Sequence, residues 1–259
     1  MLQFDAATAT SQGARRYQED AAGIFPGARP VASMLAVLAD GMGGHAGGAT
    51  ASRLVCERFI AHFTSVDGPV VGRLGGALDA ANAAIAQTVS ENTSLSGMGS
   101  TLIGASFGPE GLEWVSVGDS PLYLFRRAEI ALLNEDHSLA PALDQLAAEG
   151  KITEAAARND PRRHMLRSAV TGEELDLVDL SRKALALDDG DYVILASDGI
   201  HTLDEAEIAR IVAGYASAGP QAVADALIRA ALELKEPHQD NVTIIAVRPT
   251  SAASEGDGR

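Results

Sequence analysis

The chain has 259 residues, 46% of them hydrophobic, and a formal net charge of −15. That length and apolar content suffice to bury a core in one domain, while the charge excludes capture of a nucleic-acid backbone, which needs clustered Lys and Arg. The densest apolar run, residues 32–39, is interrupted by Ser33 and stops at Asp40, far short of the roughly 18 to 20 apolar residues of a membrane span.

The N-terminal MLQFDAATATSQG carries neither a basic leader nor an apolar block, so no secretory signal is expected and the expected compartment is the cytoplasm. Short apolar or alternating runs predict strands at residues 4–8, 21–25 and 33–39. Two helices follow, at 49–63 and 71–89, where Ala and Leu dominate at helical spacing. Cys56, the single cysteine, falls in the apolar pattern of the first and reads as a buried thiol without chemistry. Further strands are predicted at 100–107, 112–117 and 122–125. Residues 137–176 break the pattern, being polar and helical with EGK, NDP and VTG punctuation, and read as a flap leaving the core. A strand at 192–196 precedes two helices, 205–212 with Asp204 as cap and 221–234 behind Gly219 and Pro220. The last strand is 242–247, and 250–259, small and polar, is expected to be a disordered tail. Strands, a helix pair, strands, then helices is a segregated order, which favours an α+β fold. A β-sandwich flanked by helices fits it, as one catalytic domain over residues 1–249.

Four acidic turns each put an Asp at the end of an apolar strand or just before one: Asp40 in LADGMGG, Asp119 in SVGDSPLYLF, Asp198 in ILASDGI and Asp240 in QDNVTIIAV. A fifth acidic pair, Glu19 and Asp20 in GARRYQED, precedes AAGIF. Each turn alone is weak evidence, since Asp-Gly and Asp-Asn serve backbone geometry in many proteins. Together, on strand ends at one edge of a sandwich, they make a carboxylate site without Cys or His, which suits Mg²⁺ or Mn²⁺ better than zinc. The glycine-rich DGMGGHAGG lacks GK[ST] and is no phosphate loop. Its glycines let backbone approach a ligand, so the Gly41 carbonyl is itself a candidate ligand.

In order, RRYQED, VLADGMGGHAGG, GMGSTLIGA, VGDSPLYLFR, NEDHSL, VILASDGI and DNVTIIAV resemble the successive motifs of the metal-dependent Ser/Thr protein phosphatases of type 2C, in their bacterial stand-alone form. The resemblance runs from about Phe4 to Val247. It implies a four-layer α/β/β/α sandwich and a binuclear Mn²⁺ or Mg²⁺ site at one end, at which metal-activated solvent between the cations attacks phosphorus. By motif position Asp40 bridges the two metals, and Asp198 and Asp240 complete one site. Glu19 and the Gly41 carbonyl serve the other, with Asp20 acting on metal-bound water. Asp119 matches the residue that holds a third metal in bacterial relatives. Arg15 sits where the family carries the arginine that binds substrate phosphate, a task for which a planar guanidinium is suited.

The implied substrates are phosphoserine and phosphothreonine on proteins, the implied counterpart a eukaryotic-like Ser/Thr kinase, and the expected state a monomer. Met42 stands where eukaryotic members have histidine, so the proton donor to the leaving group is unassigned. His45 lies nearby and metal-bound water on Asp119 is an equal candidate, whereas His137, His164, His201 and His238 have weaker claims. Arg162, Arg163 and Arg167 are expected to give the flap a basic edge for docking. Two other readings keep the fold: a catalytically silent phosphoprotein-binding scaffold, which would usually have lost metal ligands, and a phosphatase of small metabolites.

Overall fold

The computed structural model describes residues 2–26, 33–43 and 46–251. His45 and the tail from residue 252 lie outside the described residues. Chain order is β1 (Leu2–Ser11), β2 (Asp20–Pro26), β3 (Met34–Met42), α1 (Ala46–Ser65), α2 (Val70–Glu91), β4 (Gly99–Ser100), β5 (Leu102–Gly108), β6 (Gly111–Val117), β7 (Leu122–Arg126) and β8 (Glu129–Leu132). The flap then carries α3 (Ala140–Ala148) and α4 (Glu154–Arg158), before β9 (Asp179–Leu180), β10 (Tyr192–Ala196), α5 (Glu205–Tyr215), α6 (Pro220–Glu233) and β11 (Val242–Ser251).

Two antiparallel sheets result, one in the order β1-β11-β10-β7-β8 and the other β2-β3-β5-β6-β9, with β4 joined to β3. Both sheets are covered on both faces, which explains why their central strands read as continuous apolar runs. Along β3, Leu35, Val37 and Ala39 join the cluster under α1 and α2, while the alternate residues Met34, Ala36 and Leu38 join the cluster between the sheets. Along β10, Val193 and Leu195 face the other sheet, while Tyr192, Ile194 and Ala196 face α5 and α6. The period of two thus sorts one run of residues into two cores, and the layers are α/β/β/α as the sequence suggested.

The helices end and turn for local reasons. Asp204 and Glu207 form a reciprocal capping box at the start of α5. Pro220 opens α6 behind Gly219, whose φ is 97°. Arg73 donates from Nη2 to the Phe63 carbonyl at 2.7 Å while its guanidinium lies 3.9 Å from the Phe63 ring centroid, closing the α1–α2 hairpin.

Three differences from the expected elements have physical causes. The β7–β8 hairpin turns through Arg127 and Ala128 at φ of 53° and 66°, a left-handed pair usually announced by Asn-Gly or Asp-Gly. Strand β9 has two residues and borrows its place from β6. Strand β11 runs to Ser251, past the expected boundary at 249, because its end pairs with Leu2.

At Gly104 in β5, a Cβ would come within 2.2 Å of Phe59 Cζ on α1, and Phe59 is fully buried. Gly104→Val is therefore expected to lose about 2 kcal/mol by overpacking, read as a melting temperature lower by about 6 °C. Gly108→Ala, with no atom within 4 Å of the new methyl, is the control and should melt like the parent.

Candidate functional site

Antiparallel pairing brings the start of β2, the end of β3, the end of β6, the start of β7, the end of β10 and the start of β11 to one rim of the sandwich. Asp20 and Asp40 are direct cross-strand partners. A cleft of about 630 Å³ opens on this rim, and its walls include Arg15, Glu19, Asp40, Gly41, Asp119, Asp198 and Asp240. Asp20 is absent from the wall. It lies one layer deeper, its Oδ2 accepting from Ser197 Oγ at 2.8 Å and Thr243 Oγ1 at 2.7 Å. All the predicted site residues are thus brought together, seven at the surface of the cleft and one behind it.

Asp40 and Glu19 are held through their backbone. The Asp40 N–H donates to Thr101 Oγ1 at 3.0 Å, and the Asp40 carbonyl accepts from the Thr101 N–H at 2.8 Å and Ser100 Oγ at 2.9 Å. Asn241, buried, accepts the Glu19 N–H on Oδ1 at 2.8 Å and donates from Nδ2 to the Gln12 and Tyr17 carbonyls at 2.8 and 3.0 Å. That one side chain stitches the N-terminal loop to β11. Gly48, in the first turn of α1, makes room for Glu19: a Cβ there would stand 2.4 Å from Glu19 Oε1 and 2.8 Å from the Gly41 carbonyl oxygen. Asn241, Thr101 and Gly48 escaped the sequence reading. The first is half of the Asp-Asn pair and the last belongs to DGMGGHAGG, so the signal was present but only the Asp and the first glycine were read as ligands.

Like charges converge here with little to offset them. Burial, then repulsion from Asp198, Asp20, Asp240 and Asp119, lifts the Asp40 carboxyl well above the ordinary carboxylate range. Asp20 is pushed up to about 6, mainly by burial, with the hydrogen bonds from Thr243 and Ser197 working against the rise. Asp198 also rises to about 6, through burial and Asp240, moderated by a hydrogen bond with Asp40 and by Arg15 and His164. Asp119 rises to about 7, through burial, Asp198 and Asp136. Glu19 Oε1, Asp20 Oδ1 and Asp198 Oδ1 are buried without a hydrogen-bond partner among the described residues.

That donor set tests whether hard cations fit. Carboxylate oxygens closed off from donors and crowded by their own kind are suited to Mg²⁺ or Mn²⁺. Among the described residues no three His, Cys, Asp or Glu side chains are gathered closely enough to hold a metal ion as they stand. The carboxylates are instead spread along the walls of the cleft. Arg15, the expected phosphate ligand, forms an ion pair with Asp240.

The flap roofs the cleft with residues 164–169 and with Thr171, Glu173, Glu174 and Asp176. The expected basic edge shrinks to Arg167. Arg162 is paired with Asp160 through Nε and Nη2 at 3.0 and 2.9 Å, and Arg163 with Asp144 through Nη1 and Nη2 at 2.7 and 2.8 Å. Of the histidines weighed as proton donors, His164 lines the cleft among the described residues. His137 is buried behind Asp119, and the His201 ring bonds the Asp119 backbone.

A family model described as "Protein phosphatase 2C" matches residues 16–233. The serine/threonine protein phosphatase PstP of Mycobacterium tuberculosis is 37% identical over 179 residues, covering 68% of this chain and 32% of the relative, so the match spans about a third of that relative's length. The serine/threonine phosphatase stp of Listeria innocua is 27% identical over 239 residues, 90% of each chain. Among solved structures, the catalytic domain of PstP in complex with two manganese ions superposes with a TM-score of 0.78 at 32% identity, covering 97% of this chain and 100% of that one. With the sandwich, the rim of carboxylates and the ordered motifs in agreement, this chain belongs to the protein phosphatase 2C family.

Proposed function

We propose that the chain hydrolyses phosphoserine and phosphothreonine on proteins at a binuclear Mn²⁺ or Mg²⁺ site in the rim cleft. The observation that carries this reading is the trio of buried carboxylate oxygens on Glu19, Asp20 and Asp198 that no group among the described residues satisfies. The relatives named serine/threonine phosphatase, and the two manganese ions in the PstP structure, support it. Asp40 would serve both cations, with Asp198 and Asp240 completing one site and Glu19 and the Gly41 carbonyl the other. Asp119 would hold a third. When bound, the cations supply Lewis-acid activation of solvent and neutralise charge on the phosphoryl oxygens.

The chain's own residues do the remainder. Asp20, fixed by Ser197 and Thr243 one layer behind the wall, would act on solvent held by the cations. Asp240 cannot serve a cation and Arg15 with its full charge at once, so loading the site loosens Arg15 to grip the phosphate with its planar fork. No covalent phosphoenzyme is needed. The protein acts as a monomer in the cytoplasm and reverses a Ser/Thr kinase. Among the described residues, no helix is long and apolar enough to cross a membrane.

Phosphate release from a phosphoserine peptide should require Mn²⁺ and stop with EDTA. Asp40→Ala should lower kcat/KM by about a thousandfold, the several kcal/mol that Lewis-acid stabilisation supplies, whereas Arg15→Ala should chiefly raise KM, by roughly tenfold. Near-normal turnover by Asp40→Ala with Mn²⁺ would refute the binuclear site.

A second expectation concerns stability. Without metal, the folded state holds protons on Asp20, Asp40, Asp119 and Asp198 that the unfolded chain releases near its ordinary value of 3.8. Their contribution is full below that value and is lost as pH rises through about 6 to 7. Cations take the place of those protons. The rise in melting temperature on adding Mn²⁺ in place of EDTA should therefore widen between about pH 5 and about pH 7.5, by on the order of 5 °C. A rise that is flat or shrinks over this range would count against cation binding at these carboxylates.

A further inference from the structure

His137, the first residue of the flap, is 1% exposed. It grips Gly118 twice: its N–H donates to the Gly118 carbonyl at 3.1 Å, and its ring Nδ1 accepts from the Gly118 N–H at 3.2 Å. Its own carbonyl accepts from the N–H of Arg167, on the returning limb of the flap, at 2.8 Å. The same seam continues through Leu139, which donates to the Met165 carbonyl at 3.0 Å, and through the bridge between Ser138 and Leu166. Gly118 immediately precedes Asp119 and sits at φ 106°, where a Cβ would stand 2.6 Å from Thr101 Cγ2. Thr101 in turn holds the Asp40 N–H.

An accepting Nδ1 puts the ring proton on Nε2, and Nε2 is buried with no acceptor among the described residues. Phenylalanine would fill the same space without that orphan. What histidine alone adds is the acceptor for the Gly118 N–H, which is buried and would otherwise go unpaired. Arg167 lines the cleft, so one residue touches both the turn that aims Asp119 and the limb of the flap that roofs the site.

We propose that His137 is a positioning residue that fastens the Gly118–Asp119 turn to the flap limb at Arg167, so that the Asp119 carboxylate and the roof of the cleft are set as one unit. The inference rests on the reading of the cleft as a metal-dependent phosphatase site. Loading the cleft with cations then steadies the flap through His137, as an outer partner orients a ligand in other metal sites.

His137→Phe and His137→Asn separate the acceptor from the volume, since the Asn Oδ1 can replace Nδ1 while Phe replaces only the ring. Amide exchange of residues 163–171 with and without Mn²⁺, melting temperature and turnover of a phosphoserine peptide are measured on each, and again in an Asp119→Ala background. In the wild type and in His137→Asn, Mn²⁺ should slow exchange in that segment; in His137→Phe, which keeps the backbone bonds and loses the Nδ1 acceptor, the response should shrink severalfold and kcat should fall by about tenfold. On Asp119→Ala, His137→Phe should cost no further activity. The proposal is overturned if Mn²⁺ leaves exchange in the wild-type flap unchanged, or if Phe preserves the response better than Asn. It is equally overturned if the losses follow melting temperature alone, or if they multiply with those of Asp119→Ala. Absence of metal-dependent turnover in the wild type would instead strike the functional reading, because the exchange measurement needs no substrate.

Discussion

The structure is organised around carboxylates that repel one another and have been given no room to separate. Asp20 faces Asp40 across a strand pair, and Asp198 and Asp240 sit at the joined ends of β10 and β11. Their positions are dictated by sheet hydrogen bonds that would have to break for the charges to part. Side-chain relaxation is closed off as well, since Ser197 and Thr243 pin Asp20, and Thr101 pins the backbone of Asp40. A rim built this way sets like charges against one another, and positive charge placed among them would relieve the repulsion.

The four layers make that rigidity affordable. Three separate clusters, one between the sheets and one beneath each helix pair, lock the central strands from both sides. The strain of crowded charge is carried by elements with large buried faces, while loops and the flap carry the variable parts. Small residues matter at the joints: Gly48 leaves space for the Glu19 carboxylate, and Gly118 lets its turn press against Thr101. Neither position tolerates a side chain without moving a site residue.

The flap illustrates a division of roles within one segment. Its outer arginines, Arg162 and Arg163, are tied to Asp160 and Asp144 and stabilise its local shape. Its inner edge meets the cleft through Arg167 together with Glu173, Glu174 and Asp176. Its far end is anchored to α2 by Asn82, which accepts the Gly172 N–H at 2.8 Å and donates to the Glu173 carbonyl at 2.7 Å. The roof is thus fastened at both ends, to α2 through Asn82 and to the Gly118–Asp119 turn through His137.

Local patterns in the chain were enough to locate the central strands, the four long helices and every acidic turn, because period-two runs, helix caps and Asp at strand ends are written in near neighbours. The motif order was enough to name the family. What the sequence could not convey was which arginine lacks an acidic partner among the described residues. Arg162, Arg163 and Arg167 look alike in a string; Arg162 pairs with its near neighbour Asp160, and only the fold brings Asp144 against Arg163. The same holds for the β7–β8 hairpin, whose left-handed Arg127 and Ala128 carry no turn signature. Likewise Asn241 and His137 act through groups more than a hundred residues away or across a turn, at Gln12, Tyr17 and Gly118. Residue type and spacing determined the chemistry on offer; distance in space, which decides pairing, desolvation and repulsion, came only with the tertiary structure.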